Sequence, residues 1–553
     1  MAMEGVTPFP PEFAAAYRER GYWQDRPLGD VLRGFMETHR DRVAVRYPVV
    51  LSYKELHERS ERLARSLREL GLGPRSRVVV HLPNVVQFVE LYLALQYLGA
   101  IPLMALPAHR EHEIGHYVEF VEAEAYAVPA SFGRFDFLEF AKKISSKATT
   151  LRHVLVAGEA PDEPGFVSLD ELAATESPVP ASALAELDVD PDDPCVFQLS
   201  GGTTGIPKVI PRTHNDYAYN SHLIGAVNDI RPDDVLLVAA PIGHNFPLAS
   251  PGIQAFFEWG ASIALVTSSR ASEVLPVIEK VGVTHLEIVP AMVIGWLNDP
   301  SIDEHDLSSV RVINSGGQKY QRETKLRTEA AFKNAKVQEV FGMAEGLLMI
   351  SRLDDPDDVR HETAGRPICP DDEVMLIGED GTEAPPGEIG ELICRGPYTL
   401  RGYYKAPEVN ARAFTPDGFY MSGDLLRLHP SGNYIVEGRK KDLVNRGGEK
   451  ISAEEVEDIL LSHPAVALVA CVPMPDPVLG ERMCAYVVPK GERAPELEEL
   501  TGLLTDRGLA RFKHPERLEV IDELPLSPFG KVQKNVLAAR ISEIVAAETT
   551  ART

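Results

Sequence analysis

The chain has 553 residues, of which 44% are hydrophobic and 25% are charged, and its formal net charge is −26. The length predicts about three or four folding units, and the composition is typical of a globular rather than a disordered protein. An acidic excess of this size repels polyanions, which argues against nucleic acid as a partner.

Cysteine usage and hydropathy indicate the compartment. The cysteines are odd in number and none has C-x-x-C spacing, which favours a reducing cytoplasm over a disulfide framework or a zinc site. The N-terminal segment MAMEGVTPFPPEF has neither the basic start nor the apolar run of a signal peptide. No stretch approaches the roughly 18 apolar residues of a membrane span. We therefore expect a cytoplasmic protein with no membrane partner.

The first half of the chain alternates between helix and strand patterns. Apolar residues at helical spacing predict a helix over 51–70 and an apolar helix over 84–100, each followed by a short apolar strand, RVVVHL and IPLMAL. The alternation returns over 273–290 and 310–332. It predicts parallel sheets covered by helices on both faces. Residues 158–194, rich in Pro, Asp, Glu and Ala, are interpreted as a surface connection.

The pattern changes after about residue 370. The short strands DDEVMLI, GELICRG and GNYIVEGR, separated by PG, DG and SG turns, predict a small β-rich unit over about 370–438. The segment ISAEEVEDILLSHP predicts a helix with Ser452 as its N-cap, and CAYVVP predicts a further strand. We predict an N-terminal region over 1–438 and a small α+β C-terminal domain over 439–553.

The segment HEIGH, residues 112–116, fits the H-E-x-x-H pattern of zinc proteases. The pattern is short enough to occur by chance in a long chain, Gly115 weakens a helix, and no third ligand has a supportive spacing. We interpret it as the start of a surface helix, and metal analysis of the purified protein tests the peptidase alternative.

The segment SGGTTGIPK, residues 200–208, is the stronger signal. Glycine lets backbone amides turn inward, and such a nest of N–H groups binds anions. Hydroxyls and the charge of Lys208 would add to it. The segment is not an ordinary P-loop, because Ile206 and Pro207 separate Gly205 from Lys208. A glycine-rich turn without function is the alternative for this segment taken alone.

Four further segments make the alternative remote. Together with SGGTTGIPK they resemble, in order, the motifs of the acyl-adenylate-forming superfamily: VFGMAEG (340–346), GFYMSGDL (418–425), GRKKDLVNRGGEKISAEEVE (438–457) and PLSPFGKVQK (525–534). The resemblance covers nearly the whole chain. It implies that superfamily's fold, a large N-terminal domain with a mobile C-terminal domain, and ATP and Mg²⁺ as co-substrate and cofactor. Ala344 stands where the wider family usually has threonine. Aryl-acid enzymes resemble this chain at that position.

The resemblance also implies roles for individual residues. Glu345 would bind Mg²⁺, with Thr204 near the metal through the phosphates, and Lys531 would contact the oxygen at which the new bond forms. Lys441 would be the hinge between two domain orientations, and Gly447 and Gly448 would border the tunnel for the acceptor thiol. The remaining residues implied in ATP binding are Ser200, Gly201, Gly202, Thr203, Gly205, Lys208, Gly316, Gly317, Val340, Phe341, Gly342, Asp424 and Arg439.

The segment APIGHNFPLASPG, residues 240–252, resembles the acid pocket of stand-alone aryl acid–AMP ligases. In that group Asn245 would meet the ortho hydroxyl of a 2-hydroxybenzoate, and His244 would lie where the pocket joins the thiol tunnel. Ser250 resembles the residue of 2,3-dihydroxybenzoate enzymes, whereas Leu348 resembles that of salicylate enzymes, so both acids and substituted analogues stay open. Phe246 and Gly317 complete the implied pocket.

No carrier-protein attachment signature follows these motifs. We therefore expect the aryl group to pass to the phosphopantetheine thiol of a separate aryl carrier protein, as in siderophore-type peptide biosynthesis. The alternatives are an aryl-CoA ligase that uses free CoA, and a protein that binds nucleotide without turnover. Comparing CoA with a carrier protein as acceptor distinguishes an aryl-CoA ligase from a carrier-protein ligase. Absence of ATP-dependent turnover would favour a protein that only binds nucleotide.

Overall fold

The computed structural model describes residues 3–200, 207–440, 443–446, 449–491, 493–527 and 530–552. Strands in these ranges alternate with helices through the first two-thirds of the chain. They are β1 (Val43–Tyr47), β2 (Leu51–Ser52), β3 (Arg77–Val80), β4 (Ile101–Met104), β5 (Ala125–Pro129), β6 (His153–Ala157), β7 (Phe166–Ser168), β8 (Pro194–Leu199), β9 (Val209–Thr213), β10 (Val235–Val238), β11 (Ser262–Leu265), β12 (His285–Ile288), β13 (Val312–Gly316), β14 (Lys336–Gly342), β15 (Leu348–Ile350), β16 (Arg366–Pro367), β17 (Glu373–Ile377), β18 (Ile389–Arg395), β19 (Tyr420–Leu428), β20 (Tyr434–Arg439), β21 (Val444–Arg446), β22 (Glu449–Ile451), β23 (Val466–Asp476), β24 (Gly480–Pro489) and β25 (Arg517–Val520).

The α-helices in the same ranges vary from one turn to 19 residues in length. They are α1 (Pro11–Glu19), α2 (Leu28–Thr38), α3 (Tyr53–Glu69), α4 (Val86–Leu98), α5 (Glu111–Phe120), α6 (Phe137–Ser145), α7 (Leu169–Ala174), α8 (Ser182–Ala185), α9 (His214–Ala226), α10 (Asn245–Ala249), α11 (Gly252–Glu258), α12 (Ala271–Val281), α13 (Pro290–Leu297), α14 (Arg322–Ala331), α15 (Asp357–Glu362), α16 (Pro407–Ala413), α17 (Ala453–Leu460), α18 (Leu497–Asp506) and α19 (Lys534–Arg552).

Two large sheets build the first part of the molecule. One has the strand order β7-β6-β5-β3-β4-β8-β9, with β9 antiparallel to β8 and the other pairs parallel. The other has the order β16-β15-β14-β13-β12-β10-β11-β1-β2 and is parallel from β1 to β14. The parallel sheets predicted from the alternating pattern are therefore present.

Helices α3 and α4 show why these segments fold as they do. α3 buries one apolar stripe, and Ser52 caps it by accepting from the N–H of Glu55 while the Glu55 side chain accepts in return. α4 is buried at every position from Phe88 to Leu98, as its apolar sequence predicts, and it packs against α2 and α3 in the largest core. Both predicted helices are confirmed to within two residues at each end.

Two small antiparallel units follow. The strands β17-β18-β19-β20 form a four-stranded sheet, which contains the three predicted short strands. The strands β22-β21-β24-β23 form the last sheet, in which β25 pairs parallel with β24. α17 begins after Ser452, whose hydroxyl oxygen accepts from the N–H of Glu455, so the predicted N-cap is confirmed. The predicted α/β class with a small α+β unit at its C-terminal end is confirmed.

Three stretches differ from expectation. Residues 158–194 are more than a connection, since β7 adds the edge strand of a large sheet and α7 packs on α3. Their apolar runs are too short to stand out against the surrounding Pro and acidic residues, although Ser168 followed by Glu171 is a capping signal. Strands β19 and β23 were not predicted, because Gly and Pro interrupt their apolar pattern.

Candidate active site

The phosphate-loop prediction is described only at its two ends. Ser200 follows β8 and Lys208 precedes β9; the N–H of Ser200 donates to the Lys208 carbonyl at 2.9 Å, and the Lys208 N–H donates to Ser200 Oγ at 2.9 Å. These bonds close the base of the segment between the two strands. The Lys208 ammonium lies 4.7 Å from the centre of the Tyr403 ring. Gly201, Gly202, Thr203, Thr204 and Gly205 lie outside the described residues.

Glu345 lies between β14 and β15 and is anchored by residues from the 398–420 region. Its Oε1 accepts from the Tyr403 hydroxyl at 2.8 Å, and its backbone carbonyl accepts from the N–H of Leu400 at 2.7 Å. Tyr403 is in turn 3.0 Å from the Tyr420 hydroxyl. Glu345 as a residue is half-buried. The sequence did not single out Tyr403, since a tyrosine after Arg-Gly carries no recognised signal.

Asp424 and Arg439 face each other across β19 and β20. Their Cα atoms are register partners, and Arg439 Nε donates to Asp424 Oδ1 at 2.8 Å. Burial raises the pKa of Asp424, although the Arg439 guanidinium opposes that rise. Asp424 Oδ2 is buried and has no hydrogen-bond partner in the part of the chain that the structure describes. An unsatisfied buried carboxylate oxygen suits a ligand that brings hydroxyl donors.

A cleft of about 360 Å³ opens beside this pair, lined by Ser422, Gly423, Arg439 and Lys440. A larger open groove of about 810 Å³ lies between residues 5–7 and 405–416 and contains none of the predicted site residues. The cleft therefore belongs to the candidate site, and size alone does not identify it.

The residues expected around adenine lie at the carboxyl ends of two neighbouring parallel strands. Gly316 of β13 is in register with Val340 of β14, and a Cβ at Gly316 would come within 3.0 Å of the Val340 carbonyl oxygen. Gly317 has a φ of +86°, which favours glycine. Gly342 lets the Leu348 side chain pack close to the backbone of β14, because a Cβ at this position would lie only 2.5 Å from that side chain. Phe341, between Val340 and Gly342 on β14, is half-buried.

The predicted acid-pocket residues form one hydrogen-bonded group. Asn245 begins α10; its Oδ1 accepts from the Tyr217 hydroxyl at 2.9 Å, and its Nδ2 donates to Ser250 Oγ at 3.1 Å. Ser250 Oγ also accepts from Asn220 Nδ2 at 3.2 Å. In this arrangement the Asn245 amide accepts through Oδ1 and donates through Nδ2. Phe246 and Leu348 pack beside this group in an apolar cluster that includes Val340.

Two residues that the sequence did not indicate hold this pocket in place. Asn84 joins the large sheets: its Nδ2 lies within 3.1 Å of the carbonyls of Val238 and Ala240, and its Oδ1 accepts from the Ile242 N–H at 2.8 Å. Tyr217 fixes the Asn245 amide, as described above. The HNDY segment after the loop could have drawn attention to Tyr217, whereas a single asparagine after β3 gives no signal.

His244 and Lys531 influence each other electrostatically at the edge of the pocket. His244 Nδ1 accepts from the N–H of Phe246 at 3.2 Å, which leaves the proton of the neutral imidazole on Nε2. Burial, and then the charge of Lys531, lower the pKa of His244 well below its usual value. Burial and the charge of Arg439 lower the pKa of Lys531 to about 8, while Asp424 and Glu345 oppose that shift. The charge of Lys531 thus interacts with residues from four predicted motifs, which are His244, Glu345, Asp424 and Arg439.

The C-terminal unit approaches the first part of the chain at this point. A Cβ at Gly530, next to Lys531, would lie 3.2 Å from the Val289 side chain, and Gln321 Nε2 donates to the Glu454 carbonyl at 3.4 Å. The described contacts therefore place the lysine motif against the acid pocket. The predicted hinge Lys441 and the predicted tunnel residues Gly447 and Gly448 lie outside the described residues.

The HEIGH segment lies on α5, as predicted, and His116 stacks on Phe120 with ring centres 5.2 Å apart. Among the residues with described positions, no group of three or more His, Cys, Asp or Glu side chains is arranged to hold a metal ion. A search of the described helices also finds none long and apolar enough to cross a membrane.

Comparison with known proteins identifies the class. The family model for AMP-binding enzymes matches residues 32–404, and the model for their C-terminal domain matches residues 455–531. The chain therefore belongs to the AMP-binding enzyme family, whose members use ATP. Within that family it is an aryl acid–AMP ligase, as three curated relatives indicate.

The relatives align over almost their whole length. A 2,3-dihydroxybenzoate-AMP ligase of Bacillus subtilis is 43% identical, with 98% of each chain covered. A salicylyl-CoA synthase / salicylate adenylyltransferase of a Streptomyces species is 46% identical, covering 97% of this chain and 98% of that one. A salicyl-AMP ligase / salicyl-S-ArCP synthetase of Mycobacterium tuberculosis is 41% identical, covering 99% and 96%. The predicted superfamily and type of enzyme are thereby confirmed.

Proposed function

We propose that this enzyme activates a 2-hydroxybenzoate with ATP and passes the aryl group to the phosphopantetheine thiol of a separate aryl carrier protein. The observation that carries the proposal is the position of Lys531. Its charge acts on His244 of the acid pocket and on Asp424 and Arg439, and the neighbouring Gly530 packs against Val289 of the apolar cluster that contains Phe246 and Leu348. An acid and a nucleotide bound on these two sides would meet at the Lys531 ammonium group.

In the first step a carboxylate oxygen of the acid forms a bond to the α-phosphorus of ATP, and the bond from that phosphorus to the bridging oxygen of pyrophosphate breaks. Two anions approach each other, so positive charge at the reacting atoms lowers the barrier. Lys531, with a pKa of about 8, carries its proton at pH 7 and would supply that charge. Asp424 Oδ2, which is buried without a described partner, would accept from the ribose hydroxyls, with Arg439 holding the carboxylate.

The remaining nucleotide contacts follow from the same arrangement. Gly316 and Gly317, with Val340, Phe341 and Gly342, would flank adenine, because neighbouring strands end together there. Ser200 to Lys208 would hold the β- and γ-phosphates, with the charge of Lys208 above the Tyr403 ring.

We propose Mg²⁺ as the cofactor, held by Glu345 and the phosphate oxygens, with Thr204 near it. The donor set fits, since Mg²⁺ prefers hard oxygen ligands and usually binds through one or two carboxylates plus phosphate. Tyr403 holds one carboxylate oxygen of the half-buried Glu345, which would orient the other. When bound, the ion would neutralise charge on the phosphates.

The acid pocket supports an ortho-hydroxylated aromatic acid. With Oδ1 of Asn245 engaged by Tyr217, one N–H of its Nδ2 goes to Ser250 and the second remains for the substrate hydroxyl. A buried site built to hydrogen-bond a hydroxyl discriminates strongly against analogues that lack it. Ser250 offers a polar neighbour for a second hydroxyl, whereas Leu348 makes that wall apolar, so salicylate and 2,3-dihydroxybenzoate are both candidate substrates.

The two half-reactions would use two orientations of a C-terminal domain over 439–553 against an N-terminal domain over 1–438. The antiparallel sheet ending with β20 at Arg439 and the separate sheet starting with β21 support this boundary. Rotation at Lys441 would withdraw Lys531 and bring Gly447 and Gly448 to the thiol. We place the reaction in the cytoplasm, which supplies ATP and suits the free cysteine thiols.

Free CoA is the second candidate acceptor, because the 46% identical relative is named a salicylyl-CoA synthase. The test supplies the enzyme with ATP, salicylate and either CoA or a phosphopantetheinylated aryl carrier protein, and measures each thioester by mass spectrometry. The proposal predicts a kcat/KM for the carrier at least about tenfold above that for CoA, which corresponds to 1.4 kcal/mol of preference. A higher kcat/KM for CoA would make the enzyme an aryl-CoA ligase.

A further inference from the structure

Arg212 is a buried cation that none of the roles above uses. It lies on β9, a few residues beyond the phosphate segment, and its side chain is 0% exposed. Its Nε donates to Asp216 Oδ1 at 2.8 Å. The other carboxylate oxygen of Asp216 accepts from the N–H of Thr213 at 2.7 Å, which caps α9. Burying a charged pair is costly, and an apolar replacement often gives an equally stable protein.

The Arg212 guanidinium contacts both halves of the proposed site. Its Nη1 donates at 3.1 Å to the carbonyl of Ala344, the residue just before Glu345. Its Cζ lies 5.0 Å from the centre of the Tyr217 ring, and the Tyr217 hydroxyl donates to Asn245 at 2.9 Å. The rigid, planar guanidinium of Arg212 therefore contacts two parts of the site. One is the backbone next to Glu345, and the other is the Tyr217 ring, whose hydroxyl holds the Asn245 amide.

The remaining nitrogen of Arg212 adds to the cost of burying this cation. Arg212 Nη2 is buried and has no hydrogen-bond partner within the described ranges. A buried donor without a partner adds a desolvation cost, but Arg360 also buries a nitrogen, Nε, without a partner among the described residues. The case for a positioning role therefore rests on the contacts of Arg212 with Ala344 and Tyr217. The rigid fork of Arg212 fixes Ala344 and Tyr217 relative to each other, which a flexible or apolar side chain would not do.

We propose that Arg212 is a positioning residue that holds Glu345 and Asn245 in a fixed relation, so that ATP and the aryl acid bind in line for reaction. The inference rests on the proposed adenylation of a 2-hydroxybenzoate. Its consequence is that one substitution disturbs two properties together, the Mg²⁺ dependence through Glu345 and the selectivity for the ortho hydroxyl through Asn245. Small misplacements of reacting groups cost about 100-fold in rate.

The experiment compares Arg212→Met and Arg212→Lys with Arg360→Met and Arg360→Lys. Arg360 is a matched control: it is 2% exposed, pairs with Glu329 and Asp357, and donates to the Val337 carbonyl at 2.9 Å. Each variant is assayed by ATP–pyrophosphate exchange with salicylate and with benzoate over a range of Mg²⁺ concentrations, and its Tm is measured.

For Arg212→Met we expect kcat/KM with salicylate to fall about 100-fold, the salicylate-to-benzoate ratio to fall about tenfold, and half-saturation to need several times more Mg²⁺. Arg212→Lys should lie between this variant and the wild type. The Arg360 variants should lower Tm while keeping the ratio and the Mg²⁺ requirement within about twofold of wild type, since their contacts lie outside the site.

Tyr217→Phe separates the two effects and serves if Arg212→Met does not fold. It removes the hydroxyl that reaches Asn245 but keeps the ring beside Arg212, so the ratio should fall while the Mg²⁺ requirement stays unchanged. If the Arg212 variants change only Tm, as the Arg360 variants do, the inference is wrong. If the wild type shows no exchange with any 2-hydroxybenzoate, the proposed function is wrong instead.

Discussion

Lys531 lies close enough to His244 that its charge, added to burial, holds the pKa of the imidazole well below the usual range. The two residues are 287 positions apart in the sequence and come from different motifs, His244 just before α10 and Lys531 just before α19. Their approach brings the last motif of the chain to the acid pocket. At pH 7 His244 is neutral and Lys531 is protonated. The positive charge of Lys531 is then available to an anionic carboxylate that binds in the site.

Replacing Lys531 with Ala should separate the half-reactions. Adenylation, measured by ATP–pyrophosphate exchange, should fall by about 100-fold or more, because a charge at the developing transition state is lost. Transfer from preformed aryl-AMP to the carrier should stay within a few-fold of wild type, since the proposed rotation removes this residue before the thiol enters.

Lys490→Ala, at an exposed position near the end of β24, is the control and should leave both steps unchanged. An equal loss of adenylation and transfer in Lys531→Ala would contradict the division of labour between two domain orientations.

The pKa of Lys531 predicts a pH profile. Burial and Arg439 lower that pKa to about 8, so the ammonium is present below pH 8 and lost above it. The kcat/KM for exchange, which reports ionisations of the free enzyme, should therefore decline by about tenfold per unit above pH 8. In Lys531→Arg the guanidinium stays charged, and the alkaline decline should disappear even though the absolute rate is lower. An unchanged decline in that variant would assign it to another group.

Asn245→Leu should remove discrimination for the ortho hydroxyl. The substitution keeps the branched shape of the side chain, with bulkier methyl groups in place of the amide atoms, and eliminates both hydrogen bonds of the amide. We expect kcat/KM for salicylate to fall about 100-fold and that for benzoate to change by less than about threefold, with KM for ATP as the internal control. Equal losses with both acids would mean that Asn245 maintains the pocket rather than recognising the hydroxyl.

Asp424→Ala should weaken ATP binding. Hydrogen bonds to a charged group contribute about 1.5–3 kcal/mol, so KM for ATP should rise by roughly 10- to 100-fold. An ATP analogue without the ribose hydroxyls should be a poorer substrate for the wild type, yet the variant should use it about as well as ATP.

Asp417→Ala, an exposed aspartate just before β19, serves as the control. If the Asp424 variant still distinguished ATP from the analogue, another group would recognise the ribose.

The sequence predicted the elements whose signals are local. Ser452 marks a helix start because a hydroxyl three residues before the amide it caps leaves a readable pattern, whereas the same signal at Ser52 was not used. The ordered motifs indicated Asp424, Glu345 and Lys531 by resemblance. The contacts of Asn84, Tyr217, Tyr403 and Arg212 could not be predicted, because each depends on residues brought together from distant strands.

The most direct test of the account is ATP–pyrophosphate exchange with salicylate, 2,3-dihydroxybenzoate, benzoate and a medium-chain fatty acid. Strong exchange with the 2-hydroxybenzoates and little with the other two acids is the predicted result, and the ratio of the first two would show whether Ser250 or Leu348 governs the pocket. Stronger exchange with benzoate or the fatty acid would contradict the assignment of Asn245 and of the substrate class.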